Sequence, residues 1–130
     1  MIPHTKDGSN GSYSLEKLPC SAIQPKIGMG MVFSNGKLAK VGTTAKPEYI
    51  CMTEADAAVA AGTEIQVLRV LPDMVFEAIT SANASSNALG SFVTIADDGI
   101  RVTATATNGK AELVGKDDGS TGTKVYVRFP

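Results

Sequence analysis

Met29-Gly30-Met31-Val32-Phe33-Ser34-Asn35-Gly36-Lys37-Leu38-Ala39-Lys40-Val41 is the stretch that decides the fold class. Two apolar runs flank Ser34-Asn35-Gly36. A type I′ turn requires positive φ at both central residues, and Asn followed by Gly meets that demand at least strain. The stretch therefore predicts two antiparallel strands, 29–33 and 37–41, joined as a hairpin.

The same punctuation recurs toward the C-terminus. Asp98-Gly99 turns the chain into residues 100–107 and Asn108-Gly109 turns it out. Between them Ile100, Val102, Ala104 and Ala106 alternate with Arg101, Thr103, Thr105 and Thr107. One apolar and one polar face predict a half-buried antiparallel strand. Residues 110–114 follow, and Asp117-Asp118-Gly119 opens a wider loop. The last strand places Val125, Val127 and Phe129 on one face, with Lys124, Tyr126 and Arg128 on the other.

Toward the N-terminus, residues 18–24 read as a strand interrupted by Pro19 and closed by Pro25, which confines it to an edge. Residues 48–52 form a further short strand. Two more, 64–71 and 74–79, surround Pro72-Asp73. Val67-Leu68-Arg69-Val70-Leu71 breaks strict alternation, as a strand buried on both faces or a bulge would. Residues 53–62 are the helix candidate: Thr53 can cap it, Asp56 can close a capping box and Gly62 can end it. The segment is short and its apolar face weak, so a single turn or an Ala-rich loop fits equally. Residues 81–88 read as a surface loop. No internal repeat of fixed period is present. The expected architecture is all-β, a small antiparallel barrel or sandwich with at most one short helix.

Composition agrees. The chain has 130 residues, enough for one domain with a real core. Hydrophobic residues make up 43%, so disorder of the whole chain is excluded. Aromatics are only 5%, without Trp, and Gly numbers 13, a mixture typical of short strands and tight turns. Residues 1–14 differ: polar and Gly/Ser-rich, they read as an extended flexible N-terminal arm before a single β domain, 15–130. Ile2, Pro3, Tyr13 and Leu15 are its few apolar anchors, and ordering it against a neighbour's sheet edge is the expected mode of contact. Its removal is expected to leave the fold intact.

Twelve basic against thirteen acidic residues give a net charge of −1, with Lys and Arg scattered. That argues against nucleic acid as a partner, because such binding rests on phosphate neutralisation. No apolar run approaches the ~20 residues of a membrane helix. No secretory leader is visible, which predicts synthesis in a cytosol, with retention or assembly into a particle there. Cys20 and Cys51 lack metal-ligand spacing. Buried reduced thiols are the expected state, with a disulfide open if their strands pair.

Catalytic chemistry finds little support. His4 is the single histidine and lies in the arm, where no rigid scaffold aims it as a base. Asp97-Asp98 and Asp117-Asp118 precede glycines, as turn-forming aspartates do, and lack the alternating ligand spacing of a calcium loop. Gly28-Met29-Gly30 lacks the Lys-Ser/Thr ending of a phosphate loop. Three tyrosines are too few and too dispersed for a base-stacking platform. A binding protein without catalytic residues, metal or cofactor is the reading.

Leu18-Pro19-Cys20-Ser21-Ala22, then Pro25 through Phe33, Gly36-Lys37-Leu38 and Lys46-Pro47-Glu48-Tyr49-Ile50, resemble decoration proteins of tailed bacteriophages. So do Ala61 through Val67, Pro72 through Glu77, Gly90 through Thr107, Gly109-Lys110-Ala111-Glu112 and the closing Lys124-Val125-Tyr126-Val127-Arg128-Phe129. The resemblance spans residues 15–129 and carries no diagnostic catalytic motif. It implies a small β-barrel or β-tulip-like domain, often trimeric, on the capsid exterior of a virion assembled in the host cytoplasm. The implied partner is the major capsid protein, which some family members reach through N-terminal arms; no family contact residue transfers, and the arm's own Ile2, Pro3, His4, Tyr13 and Leu15 are the expected contacts here. The alternatives are a carbohydrate-binding or adhesive β module and another phage part, at the head–tail junction or in the tail.

Overall fold

The computed structural model of the chain describes residues 1–4 and 15–130. In chain order the strands are β1 (Ile2–Pro3), β2 (Leu15–Pro19), β3 (Gly30–Ser34), β4 (Lys37–Lys40), β5 (Tyr49–Cys51), β6 (Glu64–Arg69), β7 (Phe76–Ile79), β8 (Phe92–Val93), β9 (Ala111–Lys116) and β10 (Lys124–Arg128). They make two five-stranded antiparallel sheets, β1-β7-β10-β9-β8 and β2-β6-β5-β3-β4. The architecture is all-β and sandwich-like, as expected, and neither sheet closes into a barrel.

The opening hairpin forms as read. Met31 pairs with Lys40, and Ser34 with Lys37. Asn35 and Gly36 have φ of 53° and 77°, the left-handed pair that a type I′ turn requires.

The first core fills the space between the sheets. Phe76, Ala78, Leu113, Val125, Val127 and Phe129 from the first sheet meet Ile50 and Leu68 from the second. The Phe76 and Phe129 rings lie 5.9 Å apart. The second sheet also buries its other face. Met31, Leu38, Tyr49, Cys51, Ile65 and Val67 form a separate core, with Ile23, Val59 and Ile100 packed against it. Hence the broken alternation of β6: Val67 points into one core and Leu68 into the other. The sheet curls around this second core until Cys20, just after β2, bridges Leu38 of β4. Cys20 and Cys51 are free, buried thiols within it, and burial raises the pKa of both.

One open reading is decided and two expectations are corrected. Residues 53–62 form a loop, one of the alternatives, and contain no helix. Only Val59 of this segment packs on a core, so a helix would have no apolar stripe to bury. The segment instead runs beside residues 20–25: the amides of Ala55, Val59 and Gly62 donate to the carbonyls of Pro25, Ile23 and Cys20. Thr53, expected as a cap, instead accepts the Gln66 amide at 2.8 Å.

Residues 100–107 do not form a regular strand. Val102 makes isolated bridges to Ile95 and Thr80 and is fully buried, whereas Ala106 is exposed. Here threonine hydroxyls compete for the backbone. The Thr103 hydroxyl accepts the Thr105 amide at 3.0 Å and pairs with the Thr94 hydroxyl at 2.6 Å.

The second correction concerns the arm. Residues 1–4 belong to the body of the domain. Ile2 and Pro3 pair with Glu77 and Phe76, and the Met1 side chain enters the first core. The physical reason is that Met1 is itself a large apolar group: its side chain packs in the core beside Gly30, and the absence of a Cβ at Gly28 leaves room for its amine. Residues 5–14, with Tyr13 among them, lie outside the described residues.

Candidate docking surface

The outward face of the first sheet follows from its register. Directly paired residues point to the same side. Ile2, Glu77, Tyr126 and Gly115 form one rung, and Arg128, Glu112 and Phe92 another. Ile79 and Lys124 make a third. Alternation puts these side chains opposite the core-facing Phe76, Ala78, Val125 and Val127.

Tyr126 lies at the centre. His4, held because its amide donates to the Val75 carbonyl at 2.8 Å, brings its ring to 4.7 Å from the Tyr126 ring at 46°. Beneath the Tyr126 ring, Gly115 has no side chain; a Cβ there would approach Cδ2 at 3.1 Å. His4, Val75, Val114, Gly115, Tyr126 and Arg128 line a groove of about 400 Å³.

Two ion pairs flank the rings. Arg128 Nε donates to Glu112 Oε1, and the Lys124 ammonium lies 3.6 Å from Glu77. The bond to Glu112 raises the pKa of the Arg128 guanidinium. Each pair is internally neutral, so a partner meets little net charge. Beyond them the face is apolar. Ile2, Ile79 and Phe92 expose 42%, 38% and 39% of their surface, values high enough to leave each side chain available to a partner. A notch of about 170 Å³ joins Ile2 and Ile79 to Ile27 and Ile100.

The N-terminus pins this edge. The Met1 ammonium donates to the carbonyl of Gly28 at 2.7 Å and to that of Ile100 at 3.2 Å. Burial lowers its pKa from 8.0 to about 6, against the opposing fields of Asp98 and Glu77.

Of the residues singled out from the sequence, Ile2, Pro3 and His4 come together on this edge. Leu15 does not: it is exposed on β2, the edge strand of the other sheet, opposite Leu68. Tyr126, Arg128 and Phe92 join them on this face without having stood out as candidates in the sequence. The alternation of residues 124–128 carried the signal for the first two, and nothing local marked Phe92. The groove brings together aromatic and cationic side chains suited to gripping a surface, which are also the types enriched at binding hot spots.

No protein-family model and no curated protein sequence matches this chain. Among solved structures it is similar to the head fiber gp8.5 N base of bacteriophage phi29. The identity is 14%, the match covers 90% of this chain and 95% of that one, and the TM-score is 0.53. At that identity the likeness is one of fold.

Proposed function

We propose that this chain is a structural protein of a tailed-phage virion that binds the outer surface of the capsid and stabilises the shell. The observation that carries the reading is the match of fold, nearly end to end, to the base of a phage head fiber. The resemblance of residues 15–129 to decoration proteins leads to the same class of particle. In this reading the partner is the major capsid protein, the assembly is a homotrimer, and neither catalysis nor a cofactor is involved.

The outward face of the first sheet is the surface we assign to the shell. Its Tyr126–His4 pair and the exposed Ile2, Ile79 and Phe92 supply apolar contact, while the two neutral ion pairs supply a polar rim. A ligand that binds only the closed shell shifts the equilibrium away from rupture by mass action, and lattice symmetry repeats each modest contact many times.

The test is to mix purified protein with expanded capsids of its own phage, then pellet and image them. Saturable occupancy at regular lattice positions, with a shell more resistant to heat, is the expected result. Phe92→Asp and Ile79→Lys, both on exposed positions, should lower the affinity by at least ~30-fold, the effect of losing ~2 kcal/mol at a hot spot. Wild-type protein absent from shells, or found at the tail, would overturn the assignment.

A further inference from the structure

A second concave surface is lined by a different set of residues. It is an open groove of about 610 Å³. Thr43, Thr105 and Thr107 line it with hydroxyls, beside Thr94 and Thr103, whose hydroxyls bond each other, over a floor of Ile95 and Ala96. Asp97, Asp98 and Arg101 close one end.

We propose that this groove binds a neutral saccharide. A hydroxyl both donates and accepts, as does each hydroxyl of a sugar, so a hydroxyl-lined wall matches a polyhydroxylated ligand over many orientations. A carboxylate accepts from two neighbouring sugar hydroxyls at once. Asp97 is placed for this: its backbone carbonyl is held by the Lys40 ammonium at 2.5 Å, its side chain is exposed, and its carboxylate has no partner among the described residues. Asp98 has a different task. Its carboxylate accepts the amides of Ile100 and Arg101 at 2.8 and 3.0 Å and the Arg101 Nε at 2.6 Å, which fixes the guanidinium at the groove's end.

Charge gives anions no advantage. Asp97 and Asp98 offset Arg101 and the Lys40 ammonium held at the Asp97 carbonyl, so a phosphorylated or sulfated chain gains no net attraction.

The walls are preorganised. The connection between β8 and β9 contains no strand, yet it is tied to four other parts of the molecule. The Ile95 amide donates to the Thr43 carbonyl, the Ser81 amide to Val102, the Gly30 amide to Gly99, and the Asn87 side chain to Ala104. A long connection fixed in this way can hold a ligand without first paying to become ordered. No aromatic ring lines the groove, so each site should be weak, with millimolar affinity. If the capsid reading holds, many copies on one shell would convert that weakness into avidity. The site itself does not depend on that reading.

The experiment uses the isolated protein, free of any shell. Backbone amide shifts would be followed by two-dimensional NMR while maltose, cellobiose, mannobiose and N,N′-diacetylchitobiose are titrated in turn, with glucose 6-phosphate as the anionic control. At least one neutral disaccharide should shift the amides of Thr94, Thr103 and Thr105 saturably, and the control should not. Asp97→Asn and Thr105→Val, at exposed positions, should each weaken that binding at least tenfold with an unchanged thermal midpoint. No saturable shift with any of the four sugars, equal binding of the phosphate, or full binding by both variants would overturn the proposal.

Discussion

Met1 concentrates the residue-scale physics. Its ammonium is desolvated between two carbonyls, so the folded state favours the neutral amine. Between pH 6 and 8 the unfolded chain therefore holds more protons than the folded one, and stability rises with pH across that window. Below about 6 both states are protonated and the penalty is constant; above about 8 both are neutral and it is gone. A two-unit shift corresponds to about 3 kcal/mol over the whole titration, and about 2 kcal/mol of it falls between pH 6 and pH 8, where urea unfolding would measure it. A flat midpoint across that range would show the amine to be solvated. Gly28 completes the socket. Its φ is +94°, and a Cβ would stand 2.7 Å from the Met1 nitrogen. Gly28→Ala combines about 1–2 kcal/mol of left-handed strain with displacement of the amine, so it should lower the urea midpoint and also flatten the pH slope. Asp98 gives a slope of the same sign in a lower pH window, because here the charged form is the one the fold favours. Despite desolvation, the amides of Arg101 and Ile100 and the Arg101 guanidinium lower its pKa, so its contribution is lost only in acid.

At the level of elements, the sequence was most legible where a strand has one job. The Asn35-Gly36 hairpin and the alternation of β10 were both readable because a turn or a single buried face imposes a local pattern. β6 was legible in a subtler way. Its Val67-Leu68 pair breaks alternation because the strand faces two cores, and both residues are at most 3% exposed. Leu68→Ala empties part of the space between the sheets and should cost about 2–5 kcal/mol; Val67→Ala, in the other core, should cost less because it removes fewer methylenes. An equal and small loss from each, measured by urea unfolding, would mean that the cores relax around the vacancies. Residues 100–107 show where local reading fails. Their alternation is genuine, but a strand needs a partner along its whole length, and β9 pairs with β8 and β10 instead. The helix alternative for residues 53–62 fails for a related reason: helix propensity without a face to bury is overruled by backbone bonds to residues 20–25.

For the molecule as a whole, fold class and domain count were legible, and the fate of the first residues was not. Polarity across residues 1–14 hid Met1, because one buried side chain leaves no periodic trace. The docking face was equally hidden, since it is assembled from β1, β7, β8, β9 and β10 by register that no single segment encodes. A chain beginning at Leu15 should therefore still fold but lose about 2–5 kcal/mol, the usual loss when a buried Met is truncated. An unchanged urea midpoint would show β1 to be dispensable. The place of β1 in the sheet has a mechanical consequence. β1 and β10 lie on either side of β7 and each runs antiparallel to it, so they run parallel to one another. Tension applied to the first and last residues then pulls those strands lengthwise past β7 and loads their hydrogen bonds together in shear. Pulling β3 from β4 at the open end of their hairpin would break the ladder one rung at a time. A force spectrometer gripping the chain ends should record a higher rupture force than one gripping the hairpin, and a domain anchored by its termini would resist stretching in its stiffest direction.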